Sequence, residues 1–480
     1  MNALLSIFVA LTSLFPLYRG PEYARVKAEC NVEGGGYRNI YDPLFSVRGL
    51  LGAEAVTVKK GLMLHGHFEY GYDYGTQSRW RGWIDPYETP FMLCDSIPGN
   101  VTQETYSLGG SLAYPLGKWR IGIDAQYRAG IFAKHKDLRN KNTRMDVSIA
   151  PGVSYIGEHF RAGLSAGWLR NTEQVEYMQV DATSEKYLFR IYGLWLYSSA
   201  GFSSAENRRY KENNGFCGDL SLEWEKNRLL LRNDFHARYS YGSQEETGYN
   251  NLHYGDTQTL RYADELLLRS GGHRFCLDWS LEQMLGMRSL QRQELDPASS
   301  VRRYFTYSSL SDCYWGERMQ LGACYAYDGR KWSGSAALRM RSSLQRYREY
   351  PLLFSQHFRT IEPQFSLERR FDAGGRAGQF SLALSGRYRH PLDAAADEIS
   401  ISGNYETSAE GAQLTRPLEE EFAFLSAPVA GGSLDIRWSL PLGGRRAISV
   451  NAAFTHSSAL DGLLRHTART GGSLSIYYTF

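Results

Sequence analysis

The feature that most constrains this chain is a period-two alternation, sustained through hairpin after hairpin, with apolar or aromatic residues on one phase and charged or small residues on the other. One strand carries Trp119, Ile121, Ile123, Ala125, Tyr127, Ala129 and Ile131 on the first phase and Arg120, Gly122, Asp124, Gln126 and Arg128 on the second. The strand before it, Tyr106 to Tyr114, keeps the same rhythm and reaches it through Pro115-Leu116-Gly117-Lys118. Alternation over more than ~9 residues, charged on one side and rich in Trp, Ile and Tyr on the other, fits a tilted strand between lipid and a wet lumen. A soluble sandwich has shorter strands and rarely keeps one face charged and the other aromatic.

The pattern recurs to the end of the chain. Leu229, Leu231, Phe235 and Ala237 lie opposite Arg232, Asp234, His236 and Arg238, Trp332 to Met340 follow Asp328-Gly329-Arg330, and the last strand reads Leu474, Ile476, Tyr478, Phe480. Short turns alternate with long polar stretches at Gly75–Gln103, Asn171–Glu185 and Pro391–Gly431. The expected fold is all-β: a transmembrane, antiparallel, up-and-down β-barrel of about 16–18 strands, with short periplasmic turns and long extracellular loops. Residues 62–480 are assigned to it, and residues 21–61 to a periplasmic lead, a short plug or one first strand. One segment disturbs the count. Tyr187 to Tyr197 is apolar on both faces and reads as a further strand or a packed loop, with the strand favoured.

Composition supports this class. A mean hydropathy of −0.42 excludes a helical membrane protein, while 33 Tyr and 48 Gly suit aromatic girdles and turns. Leu4 to Leu14 is too short to span a bilayer and reads as the core of a signal peptide over residues 1–20, although no Lys or Arg precedes it. No later run of ~18 apolar residues follows, so strands must do the spanning. The net charge of +3 is spread along the chain, which offers nothing for nucleic acid. The six cysteines match no zinc spacing.

The polar phase supplies the candidate lumen-lining residues: Arg120, Asp124, Arg128, Arg161, Arg232, Asp234, Arg238, Arg339, Arg387 and Arg437, with Arg341 and Arg389 on the same phase. So much Arg suits a conduit or pocket favouring anions. The alternative is a wet wall in which Arg pairs with Asp124, Asp146, Asp234, Glu368 and Asp435, and the default polarity of barrel interiors favours it. His65, His67 and Glu69 share one face but lack a fourth ligand, so no metal and no cofactor is expected. Gly163-Leu164-Ser165-Ala166-Gly167 spells G-x-S-x-G inside a continuous strand, whereas a nucleophile elbow needs a strand-to-helix turn. No catalytic machinery is expected.

The stretch Asp85 to Asn100 running on to Glu104-Thr105-Tyr106, the segment Lys136 to Asn142, and Tyr187 to Tyr197 with Arg208-Arg209-Tyr210 resemble a family of outer-membrane barrels of unknown function found in Bacteroidetes. The resemblance implies fold and cell outer-membrane location, and its members look like companions of TonB-dependent transporters. The aromatic end, Tyr478 and Phe480, resembles the signal by which barrel-assembly machinery recognises its substrates. The expectation is a non-enzymatic barrel in outer-membrane lipid, an accessory or conduit in uptake or export of a polar solute, with a TonB-dependent transporter as partner. The alternatives are a barrel enzyme acting on lipid or peptide, and a structural or secretion-system barrel that docks a partner.

Overall fold

The fold is drawn from a computed structural model, which describes residues 22–181, 183–202, 208–247, 252–295, 304–349, 352–372, 378–397, 412–444 and 446–480. The expected signal peptide lies outside the described residues. Eighteen strands form one antiparallel sheet that closes on itself. The first half of the wall is β1 (Tyr23–Gly35), β2 (Phe45–Lys59), β3 (Leu62–Ser78), β5 (Gly99–Leu116), β6 (Trp119–Lys134), β7 (Arg139–Ile156), β8 (Phe160–Met178), β11 (Arg208–Lys226) and β12 (Leu229–Thr247). The second half is β13 (Leu252–Ser270), β14 (His273–Leu295), β15 (Tyr304–Asp328), β16 (Trp332–Glu349), β17 (Leu352–Asp372), β18 (Gln379–Ala396), β20 (Val429–Gly443), β21 (Arg446–Ala459) and β22 (Ala468–Thr479). Each strand pairs with the next wall strand, and β1 pairs with both β2 and β22.

The two ends of the barrel differ. Tight turns gather at the end that also holds the first and last described residues, and the turn residues Lys60, Gly61, Gly117, Asn227 and Gly271 take the positive φ that two-residue hairpin turns require. The opposite end carries the long connections. On the outer face the apolar phase is bare: Phe216 is 67% exposed, Phe365 63% and Leu164 58%. A continuous apolar belt of that kind is far larger than a soluble monomer tolerates, and lipid is the solvent that covers it.

The wall begins at Tyr23 rather than at residue 62, because residues 21–61 supply two wall strands and not a lead, a plug or a single strand. Small residues blur their alternation. Gly52 of β2 stands between Lys27 of β1 and Glu69 of β3 in register, and Lys27 Nζ reaches over it to Glu69 at 2.6 Å. A Cβ at Gly52 would lie 2.6 Å from the Lys27 side chain, so only glycine leaves room for that bridge.

Tyr187 to Tyr197 adds no strand to the wall. It forms a hairpin, β9 (Tyr187–Gly193) and β10 (Leu196–Gly201), reversing through Leu194 and Trp195, both at positive φ. With β4 (Met92–Cys94) and β19 (Ala412–Gln413) it builds a separate four-stranded sheet in the order β19-β10-β9-β4. Its segment is apolar on both faces because both faces are buried. A helix, α1 (Thr415–Ser426), packs beside it.

Cys276 of β14 and Cys324 of β15 are direct register partners on the inward phase, and both are free thiols. Directly opposed residues in antiparallel strands have Cα atoms ~4.5–5.5 Å apart, within the range a disulfide spans. Mild oxidation of the folded barrel should therefore join Cys276 to Cys324, read as loss of two hydrogens in the linked peptide pair. Recovery of both as singly alkylated peptides would contradict this register.

Candidate functional site

The interior is built in two layers, a plug at the long-loop end and a polar lumen below it. Residues between β3 and β5, the β9–β10 hairpin and the segment carrying β19 and α1 all fold inward. Their core is aromatic: Trp195 stacks on Tyr41 at 5.7 Å and meets Trp80 edge-on at 5.5 Å. Trp83, fully buried, donates its indole N–H to the Phe91 carbonyl at 2.8 Å. Tyr177 of the wall donates to the Leu93 carbonyl at 2.9 Å, tying β8 to the plug. A gap of about 50 Å³ between plug and wall, lined by Tyr41, Tyr87, Trp195, Met284, Tyr314 and Glu421 among others, has room for water-sized occupants only.

Ion pairs fasten the plug to the wall. Lys134 of β6 reaches Asp95 at 2.6 Å with both side chains almost fully buried. Glu88 accepts from Arg144 of β7 at 2.5 Å and from Lys211 of β11 at 2.7 Å. Lys211 also lies over the Trp83 ring at 4.9 Å, and Glu173 of β8 accepts the Ile84 N–H at 2.7 Å. Arg190 of β9 and Arg209 of β11 share Glu246 of β12, at 2.9 and 2.8 Å. Burial alone would raise the Glu88 carboxyl, yet the Arg144 and Lys211 cations hold it well below its ordinary value, so it stays ionised. Helix α1 is held by Arg79 donating to Glu420 and by the Trp195 indole donating to Glu421 at 2.6 Å. Burial pushes the Glu421 carboxyl up from 4.5; its bonds from Trp195 and Tyr87, with Arg318 nearby, only partly oppose this.

Below the plug, the residues read as lumen-lining face inward, opposite the exposed apolar phase. Arg161 clamps Glu223 and, at 2.6 Å, Glu225. Arg232 pairs with Asp234 at 2.6 Å, Arg144 with Asp146 at 2.9 Å and Arg370 with Glu368 at 3.3 Å. Asp124 pairs instead with Ser111 and Gln126, and Asp435 with Ser433 at 2.8 Å. Arg120 and Arg128 face inward from β6, and Arg238 keeps a buried Nε without a partner. Arg387 donates to Ser457 at 2.8 Å, while Arg339 and Arg437 have no carboxylate partner among the described residues. Phe480 exchanges both backbone hydrogen bonds with Ala24, at 2.9 and 3.0 Å, and its ring stacks on Tyr478 at 5.5 Å.

The His65, His67, Glu69 face is divided among other partners. His65 sits 3.3 Å from Glu54 and Glu69 is taken by Lys27. Among the described residues no group of three or more His, Cys, Asp or Glu could hold a metal ion. Ser165 acquires neighbours that its strand alone does not reveal: its hydroxyl donates to Asp219 at 2.7 Å, and His236 Nδ1 lies 2.8 Å from the other Asp219 oxygen. The acid stands between serine and histidine, whereas a Ser-His-Asp relay needs the histidine in the middle. Ser111–Asp124 and Ser221–Asp234 repeat the same Ser–Asp pairing along the wall.

The chain belongs to the family of unknown function DUF6850. The family model matches residues 12–480. No curated protein matches. Among solved structures, this DUF6850 chain is similar to the copper transporter OprC, at 10% identity and a TM-score of 0.44 over 97% of this chain and 81% of that one. It is also similar to BauA, the ferric preacinetobactin receptor of Acinetobacter baumannii, at 8% identity and 0.41 over 96% and 80%. A Pseudomonas aeruginosa FadL homologue matches at 10% and 0.34 over 96% and 90%.

Two outcomes follow from how the plug is held. Asp95→Ala strands a buried ammonium at Lys134, a loss of roughly 3–5 kcal/mol for a broken buried pair, and limited proteolysis should then cut within residues 79–98 while the wall stays intact. The contribution of Glu421 to plug docking, with its folded pKa raised, is full below 4.5 and is lost as pH rises through the folded value. Hydrogen exchange in α1, corrected for the chemical rate, should show protection falling over that window, and Glu421→Gln should flatten the dependence.

Proposed function

We propose that this barrel sits in a cell outer membrane, that of a Bacteroidetes species on the resemblance described above, and is a non-enzymatic, gated conduit or accessory in the uptake or export of a polar solute. The first and last described residues and the tight turns then face the periplasm and the plugged end faces outside. The observation that carries this reading is the plug: a polar lumen is stopped by the chain's own loops, which meet the wall through ion pairs that can be exchanged for water or ligand as well as through apolar packing. A wall needed only for structure would have no use for a removable stopper. Partnership with a TonB-dependent transporter and delivery by the barrel-assembly machinery through the aromatic C-terminus belong to the same reading.

A catalytic role finds less support, since Asp219 separates Ser165 from His236 and the same Ser–Asp pairing recurs at Ser221–Asp234, where Arg232 is the acid's other partner. Planar-bilayer recording tests the gated conduit. Wild-type protein should be silent or open only briefly, and the double variant Glu88→Ala/Asp95→Ala should give stepwise conductance. A folded double variant that stays silent would point to a docking barrel instead.

A further inference from the structure

Several lumen arginines, Arg144, Arg161, Arg232 and Arg370 among them, pair with a carboxylate on the same or the next strand, whereas across β16–β18 the arginines outnumber the carboxylates beside them. Arg339 and Arg341 of β16 and Arg387 and Arg389 of β18 face inward across β17, whose register sets Glu362 opposite Arg339 and Gln364 opposite Arg387. Four guanidinium groups thus surround one carboxylate. Glu362 stands 3.8 Å from Arg341, and Arg341 also feels the charges of Arg339, Arg387 and Arg389. Like charges on neighbouring strands cost stability, so an uncompensated excess needs either a counter-ion or a use.

The four are not equivalent. Arg389 is committed to the base of the plug, donating to the Ala427 and Phe424 carbonyls at 2.9 and 2.7 Å and to the Tyr37 hydroxyl at 2.7 Å. Arg341 is occupied by Glu362. Arg387 is exposed to the lumen and spends one bond on Ser457, and Arg339 has neither a hydrogen-bond nor a carboxylate partner among the described residues.

We infer that the β16–β18 wall is a binding site for the anionic group, phosphate, sulfate or carboxylate, of the solute handled by this barrel, with Arg339 and Arg387 as its free ligands. Guanidinium forks suit all three oxyanions. The assignment rests on the lumen being a solute path, and binding can be measured apart from conductance.

The test is isothermal titration of the full chain, folded in detergent at low ionic strength, with inorganic pyrophosphate, sulfate and citrate in turn. At least one probe should bind saturably. Arg339→Gln/Arg387→Gln should weaken it by about tenfold or more, while Arg232→Gln, whose arginine is already paired with Asp234, should leave it within about twofold of wild type. Heat-modifiable migration confirms that each variant is folded. Absence of saturable binding for all three probes, or equal binding by the double variant, overturns the site. If conductance appears on plug release but no probe binds, the conduit stands and its solute is not anionic; if a probe binds and the released plug stays silent, the site stands and the conduit falls.

Discussion

Everything in this protein hangs on the seam between β1 and β22, where Phe480 and Ala24 exchange both backbone hydrogen bonds and the sheet loses its edges. Hydrocarbon cannot satisfy a free N–H or C=O, so a sheet of strands survives in a bilayer only when closed. Closure at eighteen strands then sets the next problem. A barrel of that size cannot fill its interior with wall side chains alone, so the lumen is either water or inserted chain. Here it is both, with an aromatic plug at one end and a polar space below.

The plug is both packed against the wall and fastened to it. Its core is apolar and aromatic around Trp80, Trp83 and Trp195, and Phe91, Tyr192, Leu194 and Leu196 carry apolar packing onto Met284, Tyr314 and Tyr347 of the wall, while ion pairs join it to the wall through Asp95–Lys134, Glu88 with Arg144 and Lys211, and Glu246 with Arg190 and Arg209. A buried pair recovers its desolvation cost only with good geometry and is lost at considerable cost when one partner goes. Such pairs specify one docked position, and the apolar packing beside them adds to its hold.

The wall was legible in the sequence because period-two alternation reports which side of a strand meets lipid, and Trp119 to Ile131 against Arg120 to Arg128 does so without ambiguity. The plug was legible only as an exception. Tyr187 to Tyr197 looked like a wall strand because length and apolarity are the same for a strand in the wall and a hairpin buried inside it; the lack of any polar phase was the usable signal. Helix α1 lay hidden in a long polar stretch, although Leu414, Leu418 and Phe422 recur at helical spacing. At most one strand was expected in residues 21–61, because small residues such as Gly52, which makes room for the Lys27–Glu69 bridge, blur the alternation. Contacts such as Ser165–Asp219–His236 depend on register between strands, which no single strand encodes.

The central claim is that the barrel's own loops fill its long-loop end, and amide hydrogen exchange in lipid nanodiscs tests it most directly. The account predicts that residues 187–197 exchange on the timescale of the wall strands, because their backbone is paired within a buried sheet. Exchange at the rate of an unstructured surface loop, with the wall itself protected, would contradict it.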